Sequence, residues 1–223
     1  MRAAVLWTGG KDSAMAFHKA RLAGYEIANL LTFIPEKADF LAHPLQFMKY
    51  QAEAIGISHY EAVVDAPIED GYEEAIRLFR DKYKIDALIT GDIAEVDGLP
   101  NWMKERCKNS GVEVITPLWG ADRREAFKEL LSCGFKVIIS CVKIGCLDEG
   151  WLGRGLDKKA LDELSAISDK TGLDICGEQG EYHTLVLDGP TFKKNITIGS
   201  YSKHKTSTIM YIRPKEITLT LKI

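Results

Sequence analysis

Short apolar runs alternate with stretches of helical spacing through the first two-thirds of the chain. The runs at 3–7, 26–34, 59–64, 86–90, 112–116 and 135–142 read as strands. Their alternation with amphipathic segments predicts a parallel sheet covered on both faces. Tyr72, Ala75, Ile76, Phe79 and Tyr83 recur with helical periodicity, and Leu45, Met48, Ala52 and Ile55 keep similar spacing, so both sets are expected to be core faces. Gly24, Gly56 and Gly134 stand where a helix is expected to end in a C-cap glycine, and Asp122 with Glu125 forms a capping box. After about Val142 the rhythm changes to a Gly-rich connection from Gly145 to Gly155 and one helix from about Asp157 to Thr171. Three β-rich pieces follow, near 183–188, 192–198 and 207–221. The predicted architecture is an α/β, Rossmann-like parallel-sheet domain over 1–142, followed by a smaller α+β domain over 143–223.

At 223 residues the chain is long enough for one large domain or two small ones. A hydrophobic content of 46% and a charged content of 27% are those of a soluble globular protein. No apolar run approaches the ~20 residues of a membrane span, and the N-terminus enters a strand without a signal-peptide pattern, so a cytoplasmic location and no membrane partner are expected. The five cysteines, Cys107, Cys133, Cys141, Cys146 and Cys176, form no C-x-x-C pair and no Cys/His metal spacing. A net charge of −3 gives no electrostatic reason to expect a nucleic-acid partner.

The chemistry concentrates first in Thr8-Gly9-Gly10-Lys11-Asp12-Ser13, directly after the first strand and directly before a helix. Two successive glycines let the backbone turn tightly, so that N–H groups there and at the helix start converge on one anion. Thr8 and Ser13 add hydroxyl donors and Lys11 a positive charge. A bare Gly-Gly at this place is ordinarily only a turn, but the hexapeptide and its strand–helix context make it a phosphate loop. It is not the Walker pattern G-x-x-x-x-G-K-[ST], because the glycines are adjacent and the lysine precedes Asp12.

Ligands of open α/β sheets bind beyond the carboxyl ends of the strands. There, Thr32 and Phe33 after the second strand are candidates to meet an adenine edge through their backbone. Gly91 and Asp92 follow the fourth strand, and Asp12 with Asp92 is a candidate pair for Mg²⁺, which prefers oxygen ligands. The alternative for Asp92 is a helix cap or turn aspartate. His43, before Pro44, lies in a loop able to fold over a nucleotide. The segment Cys176-Gly177-Glu178-Gln179-Gly180-Glu181-Tyr182-His183-Thr184 gathers two acids, a histidine and glycines, a composition suited to acid–base work or ammonium binding. Asp148, Glu149, Trp151 and Arg154 form a second polar cluster. No Ser-His-Asp order or activated cysteine stands out, so positioning and electrostatics are the expected tools.

The loop resembles the S-G-G-x-D-S loop of the N-type ATP pyrophosphatases, with Thr8 for the first serine. Together with Gln51-Ala52-Glu53-Ala54, Gly91-Asp92-Ile93, Pro117-Leu118-Trp119-Gly120, Leu147-Asp148-Glu149, Leu152-Gly153-Arg154 and 177–184, the whole chain resembles the diphthine–ammonia ligase family. That resemblance implies a HUP-type domain followed by a small C-terminal domain. It implies an ATP-dependent ligase that adenylates the carboxylate of diphthine, the modified histidine of translation elongation factor 2, and amidates it with ammonia to diphthamide. Pyrophosphate and AMP are the by-products, and diphthamide belongs to archaea and eukaryotes. Carried onto this chain, it implies that Thr8, Gly9, Gly10, Lys11, Asp12 and Ser13, with Thr32, Phe33, His43, Gly91 and Asp92, hold ATP and Mg²⁺. Lys11, Asp12, Glu178, Glu181 and His183 are then the catalytic candidates, and Asp148, Glu149, Arg154, Gly180 and Tyr182 the acceptor-binding ones. No glutaminase segment is visible, so free ammonium is the expected nitrogen source.

Two other readings stand beside this one: the same pyrophosphatase chemistry on another carboxylate or a nucleobase, and a sensor that binds ATP or AMP without turnover. The β-rich tail from Thr206 to Ile223 offers an edge on which two copies could pair as a homodimer.

Overall fold

The computed structural model describes residues 1–35, 39–64, 67–95 and 101–222. The elements run β1 (Arg2–Leu6), α1 (Lys11–Leu22), β2 (Glu26–Pro35), α2 (Leu45–Ile55), β3 (His59–Val64), α3 (Ile68–Tyr83), β4 (Ala87–Ile89), α4 (Trp102–Cys107), β5 (Glu113–Ile115), α5 (Arg123–Ser132), β6 (Lys136–Lys143), α6 (Lys158–Thr171), β7 (Tyr182–Asp188), β8 (Lys194–Lys205) and β9 (Ile209–Leu221). The chain forms two compact bodies. One comprises Met1–Thr8, Asp12–Asp39 and Ile57–Gly120; the other comprises Gly9–Lys11, Phe40–Gly56 and Ala121–Ile223.

The first body is a five-stranded sheet in the order β3-β2-β1-β4-β5. Every pair in it is parallel. The order reverses between β1 and β4, which is the switch point of a Rossmann-like fold and the place where such sheets bind ligands. A core of Ala4, Leu31, Ile76, Phe79, Ile85, Leu88, Met103, Cys107 and Val112 fills one face of the sheet. The stripe Ile76, Phe79 is the buried face of α3, with Tyr72, Ala75 and Tyr83 at its flanks, as the helical spacing predicts. On the other face the Trp7 ring meets Phe17 of α1 edge-on at 6.3 Å.

The second body holds a four-stranded antiparallel sheet in the order β7-β6-β9-β8. The run 135–142, expected to extend the parallel sheet, instead forms β6 and pairs antiparallel with β7 and β9. A boundary after residue 142 would therefore cut a strand of the second sheet. Apolar content alone does not tell the two settings apart, because β6 is buried or part-buried on both faces from Val137 to Val142 and so reads as continuously apolar as a parallel strand. The second β piece is also longer than expected. β8 continues to Lys205, where its residues alternate between part-buried and exposed.

Local signals place the helix ends. Asp122 Oδ1 accepts the backbone N–H groups of Arg124 and Glu125 at the start of α5. Asp157 caps α6 by accepting from Ala160 N–H. Gly56 and Gly172 close α2 and α6 at φ 78° and 77°. Leu45, Met48, Ala52 and Ile55 lie along α2, with all but Leu45 fully buried.

Candidate active site

In the first body the rim at the switch point is built from the ends of β1, β2 and β4. Thr8 Oγ1 stands 3.2 Å from Ser13 Oγ, so the loop's two hydroxyls face one another across the turn. Gly91, just past β4, packs on the first turn of α1: a Cβ there would fall 2.6 Å from the carbonyl carbon of Asp12 and 2.7 Å from Ser13 N. That closeness explains why the position is glycine and shows how β4 supports the start of α1. Asp92 follows. Its Oδ2 accepts from Thr90 Oγ1 at 2.7 Å and from Asn101 Nδ2 at 2.6 Å. Asn101 in turn caps α4 by accepting from Lys104 N–H. Among the described residues Oδ1 takes no hydrogen bond, so the carboxylate is anchored by one oxygen.

β2 runs on to Pro35, whereas its pairing with β1 ends at Leu31. Beyond that point β3 continues to pair the other edge of β2 through Pro35. The Thr32 side chain is committed to the fold: it is buried, its hydroxyl donates to the Trp7 carbonyl, and it lies 2.8 Å from His59 Nε2. The Phe33 ring packs on Tyr72 at 4.6 Å.

In the second body Gly9–Lys11 is fastened to β7 and α2. The Gly9 carbonyl accepts from Val186 N–H at 3.0 Å. Gln51, fully buried on α2, donates from Nε2 to the Gly9 and Val186 carbonyls, each at 2.8 Å. Lys11 N–H donates to Thr184 Oγ1 at 3.0 Å. The Lys11 ammonium, buried, donates to the Cys176 carbonyl and lies 5.5 Å from the Tyr182 ring centroid. Its charge is thus held against the 176–184 segment, where Tyr182 is itself fixed by donating to the Ile175 carbonyl at 2.5 Å. Buried backbone and ammonium groups require such partners.

His43 lies against this loop, so that a Cβ on Gly10 would come 3.2 Å from its Cε1. Its Nε2 stands 3.2 Å from Nδ1 of His183. Part of the His43 ring is accessible, but Nδ1 is sealed from solvent and has no hydrogen-bond partner among the described residues. Burial, then the nearby His183 and then the Lys11 ammonium push its pKa down to about 3, so the ring is neutral at ordinary pH. A buried N–H without a partner costs about 1–3 kcal/mol, which favours leaving Nδ1 bare and placing the His43 proton on Nε2. His43 then donates to Nδ1 of His183.

Glu181 does a different job from the acid–base one expected of it. It is buried and accepts Asp174 N–H on Oε1 at 2.9 Å and Gln179 N–H on Oε2 at 3.0 Å, which knits together the turn at 174–181. Glu178 of the same turn is part-buried and lies close enough to the Arg123 guanidinium to act on it electrostatically. Arg123 Nε is paired with Asp174 Oδ2 at 2.8 Å. Gly180 takes φ 77°, which suits glycine in this turn.

The second predicted cluster is engaged in local structure. Asp148 accepts from Gly150 N–H at 2.7 Å and caps a short 3₁₀ turn at Glu149–Trp151. Glu149 pairs with Lys203 at 3.2 Å. Arg154 lies over the Trp151 ring at 4.3 Å and pairs with Glu163 at 2.5 Å. No group of three or more His, Cys, Asp or Glu residues able to hold a metal occurs among the described residues. Burial pushes the Cys107 and Cys141 thiols up to about 11, far from the range of a reactive thiolate.

The profile of the diphthamide synthase N-terminal domain matches residues 1–114, and that of the diphthamide synthase C-terminal domain matches residues 122–218. The chain belongs to the diphthamide synthase family. It is 27% identical over 258 residues to the diphthine–ammonia ligase of Bos taurus, covering 100% of this chain and 94% of that protein, and the Homo sapiens ligase matches to the same extent. The Danio rerio ligase is 28% identical over 229 residues, covering 89% of this chain and 86% of that protein. A solved structure titled as a predicted subunit of tRNA methyltransferase from Methanocaldococcus jannaschii superposes with a TM-score of 0.49 at 19% identity, covering 85% of this chain and 98% of that one. Among the described residues no helix is long and apolar enough to cross a membrane.

For this member of the diphthamide synthase family, sequence reading singled out the loop, His43, Gly91, Asp92 and the 176–184 segment as candidates. It quoted Gln51 and Thr184 without giving them a role, and it passed over Asn101. Each of these three side chains acts by holding another residue, and its partner is distant in the chain or outside any recognisable motif. A buried glutamine in an otherwise apolar helix stripe was the one available signal.

Proposed function

We propose that this chain is an ATP-dependent ligase that converts the diphthine of translation elongation factor 2 to diphthamide with ammonium as nitrogen donor, working in the cytoplasm where its protein substrate is. The reading rests on family membership along both domains. The observation that carries it is the Gly9-Gly10 loop, clamped by Gln51 and Thr184 and faced by the His43–His183 pair.

ATP supplies the activation: a carboxylate oxygen of the acceptor bonds to the α-phosphorus, pyrophosphate leaves, and ammonia then displaces AMP at the acyl carbon. The residues present fit that substrate. Adjacent glycines, two facing hydroxyls and the first turn of α1 provide donors for phosphate oxygens. Lys11 contributes positive potential from its buried seat. Asp12 and the spare oxygen of Asp92 are the oxygen ligands we assign to Mg²⁺, which ordinarily accompanies polyphosphate.

We assign His183, which adjoins His43, to stabilising an anionic oxygen rather than to removing a proton. With Glu181 committed to backbone N–H groups, Glu178 is the acid we assign to orient ammonium and accept the proton it loses. Asp148 shapes the neighbouring structure as the cap of a turn, and Glu149 and Arg154 do so through their own ion pairs.

The deciding experiment follows ATP labelled at the α-phosphate, with ammonium and elongation factor 2 in diphthine-bearing and unmodified forms. AMP and amide should form with the diphthine form alone. AMP absent with both, despite ATP binding, would overturn the assignment.

A further inference from the structure

The hairpin of β8 and β9 departs in charge from the rest of the chain. Residues 193–222 contain seven lysines and arginines and one acid, Glu216, a net +6 within a chain whose net charge is −3. Three of these cations are neutralised locally: Lys194 by Glu53, Lys203 by Glu149 and Lys222 by Asp188. Among the described residues Lys205, Arg213 and Lys215 have no carboxylate partner, and all three are exposed.

Their arrangement is regular. Antiparallel pairing sets Ser200 beside Lys215, Ser202 beside Arg213 and His204 beside Tyr211. Alternate residues share a face, so these three pairs form one row of hydroxyl, cation and imidazole groups. The Arg213 guanidinium lies 5.7 Å from the Tyr211 ring, which the His204 ring stacks on at 5.3 Å. Ser202 Oγ is 2.9 Å from His204 Nε2, so the imidazole is oriented as well. Along the same face toward the other end of the hairpin the residues turn apolar, with Ile196 buried and Ile198, Ile217 and Leu219 part-buried. The polar row is therefore a distinct surface.

β8 is the edge of its sheet and carries this row with it. An edge strand offers backbone donors and acceptors to an added strand. Pairing with β8 of a second copy would bring lysine-rich strands together, which like charge opposes. Base stacking is disfavoured because Tyr211 is buried and its ring already lies between His204 and Arg213. Alternate carboxylates of an extended peptide repeat every ~6.8 Å, the spacing at which the cross-strand pairs on one face recur.

We infer that the β8–β9 face built on Ser200, Ser202, His204, Arg213 and Lys215 is a docking surface for an acidic, extended segment of the protein acceptor. The inference rests on the proposal that the acceptor is a protein. Charge contacts of this kind act mainly on encounter and register.

The test compares wild type with Arg213→Glu/Lys215→Glu and with the milder Arg213→Gln/Lys215→Gln, both folded by thermal unfolding. KM for the diphthine-bearing factor is expected to rise about ten-fold or more in the charge-reversed protein, with kcat and ATP affinity unchanged and the salt dependence of kcat/KM flattened. A fluorescent poly-glutamate peptide should bind wild type and not the reversed variant, and this readout stands even if the acceptor proves to be another protein. An unchanged KM together with unchanged peptide binding would overturn the inference. So would binding of a homopolymeric single-stranded RNA that is lost in the variant while peptide binding is retained.

Discussion

Nε2 of His43 lies 3.2 Å from Nδ1 of His183, although 140 positions separate them in the chain. Because the remaining nitrogen of His43 is sealed without a partner, the contact decides which nitrogen of His183 carries a proton. His183→Gln places an amide N–H near the position of the imidazole Nε2–H. It should keep kcat within about ten-fold of wild type, whereas His183→Ala should lose about 10²-fold or more, the scale of a lost oxyanion donor. Equal loss in both variants would restore His183 as a base. Long-range ¹⁵N–¹H spectra of the imidazoles report the two tautomers directly.

The depressed pKa of His43 has a sign that equilibrium unfolding can read. In the unfolded chain the ring titrates near 6.5, and in the folded protein near 3, so below pH 6.5 the unfolded state binds the extra proton. The stabilisation from His43 is fully present above pH 6.5 and falls as pH drops toward 3, below which no further loss comes from this group. The wild type should lose up to about 2 kcal/mol between pH 7 and pH 5 from this residue, and His43→Gln should show a correspondingly flatter slope. Urea unfolding at stepped pH measures the difference.

Gln51 ties the loop to β7 with one amide. Gln51→Ala leaves the Gly9 and Val186 carbonyls without that donor and should destabilise the protein by about 1–3 kcal/mol. ATP binding should weaken in parallel. Gln51→Glu, which turns a carboxylate toward two carbonyls, should cost more. Thermal unfolding and nucleotide titration on the same samples check both effects, and a Gln51→Ala protein with wild-type ATP affinity would remove Gln51 from the loop's support.

Gly91→Ala puts a methyl group into the first turn of α1, at 2.6 Å from the Asp12 carbonyl carbon. Backbone cannot yield as a side-chain tip does, so a loss of about 1–3 kcal/mol is expected together with loss of ATP binding. Gly120→Ala makes a useful contrast, because open space surrounds that position and only its φ of 76° opposes a side chain. It should destabilise without abolishing nucleotide binding.

The two acids of the 176–184 segment should separate cleanly. Glu181→Gln replaces an acceptor of two backbone N–H groups with one oxygen and an N–H donor facing a donor, so its melting temperature should fall. Glu178→Gln should leave stability near wild type and lower the rate at limiting ammonium. Melting curves and ammonium saturation kinetics distinguish them. A stable Glu181→Gln protein with a selective ammonium defect would reverse the assignment.

Much of this was legible before any coordinates. The strand–loop–helix start, the buried stripe of α3 and the Asp122 cap are local in origin, since each follows from side-chain type or periodicity within a few residues. The setting of β6 was not legible, because a strand buried on both faces has the same apolar run whichever sheet receives it. The separate duties of Glu178 and Glu181 were hidden for a similar reason. Two acids three positions apart look alike until the turn brings the N–H groups of Asp174 and Gln179 to one of them.

The sequence by itself determined the family, and with it the class of chemistry, through motifs spread along both domains, and adjacent glycines before a helix marked the loop as the candidate phosphate turn. Tertiary structure decided protonation and support. Which nitrogen of His183 holds its proton, where the Lys11 charge is seated and what holds Gly9 in place all depend on residues 42 to 165 positions away. Hydrogen bonding and desolvation act through space, and only the folded chain sets those distances.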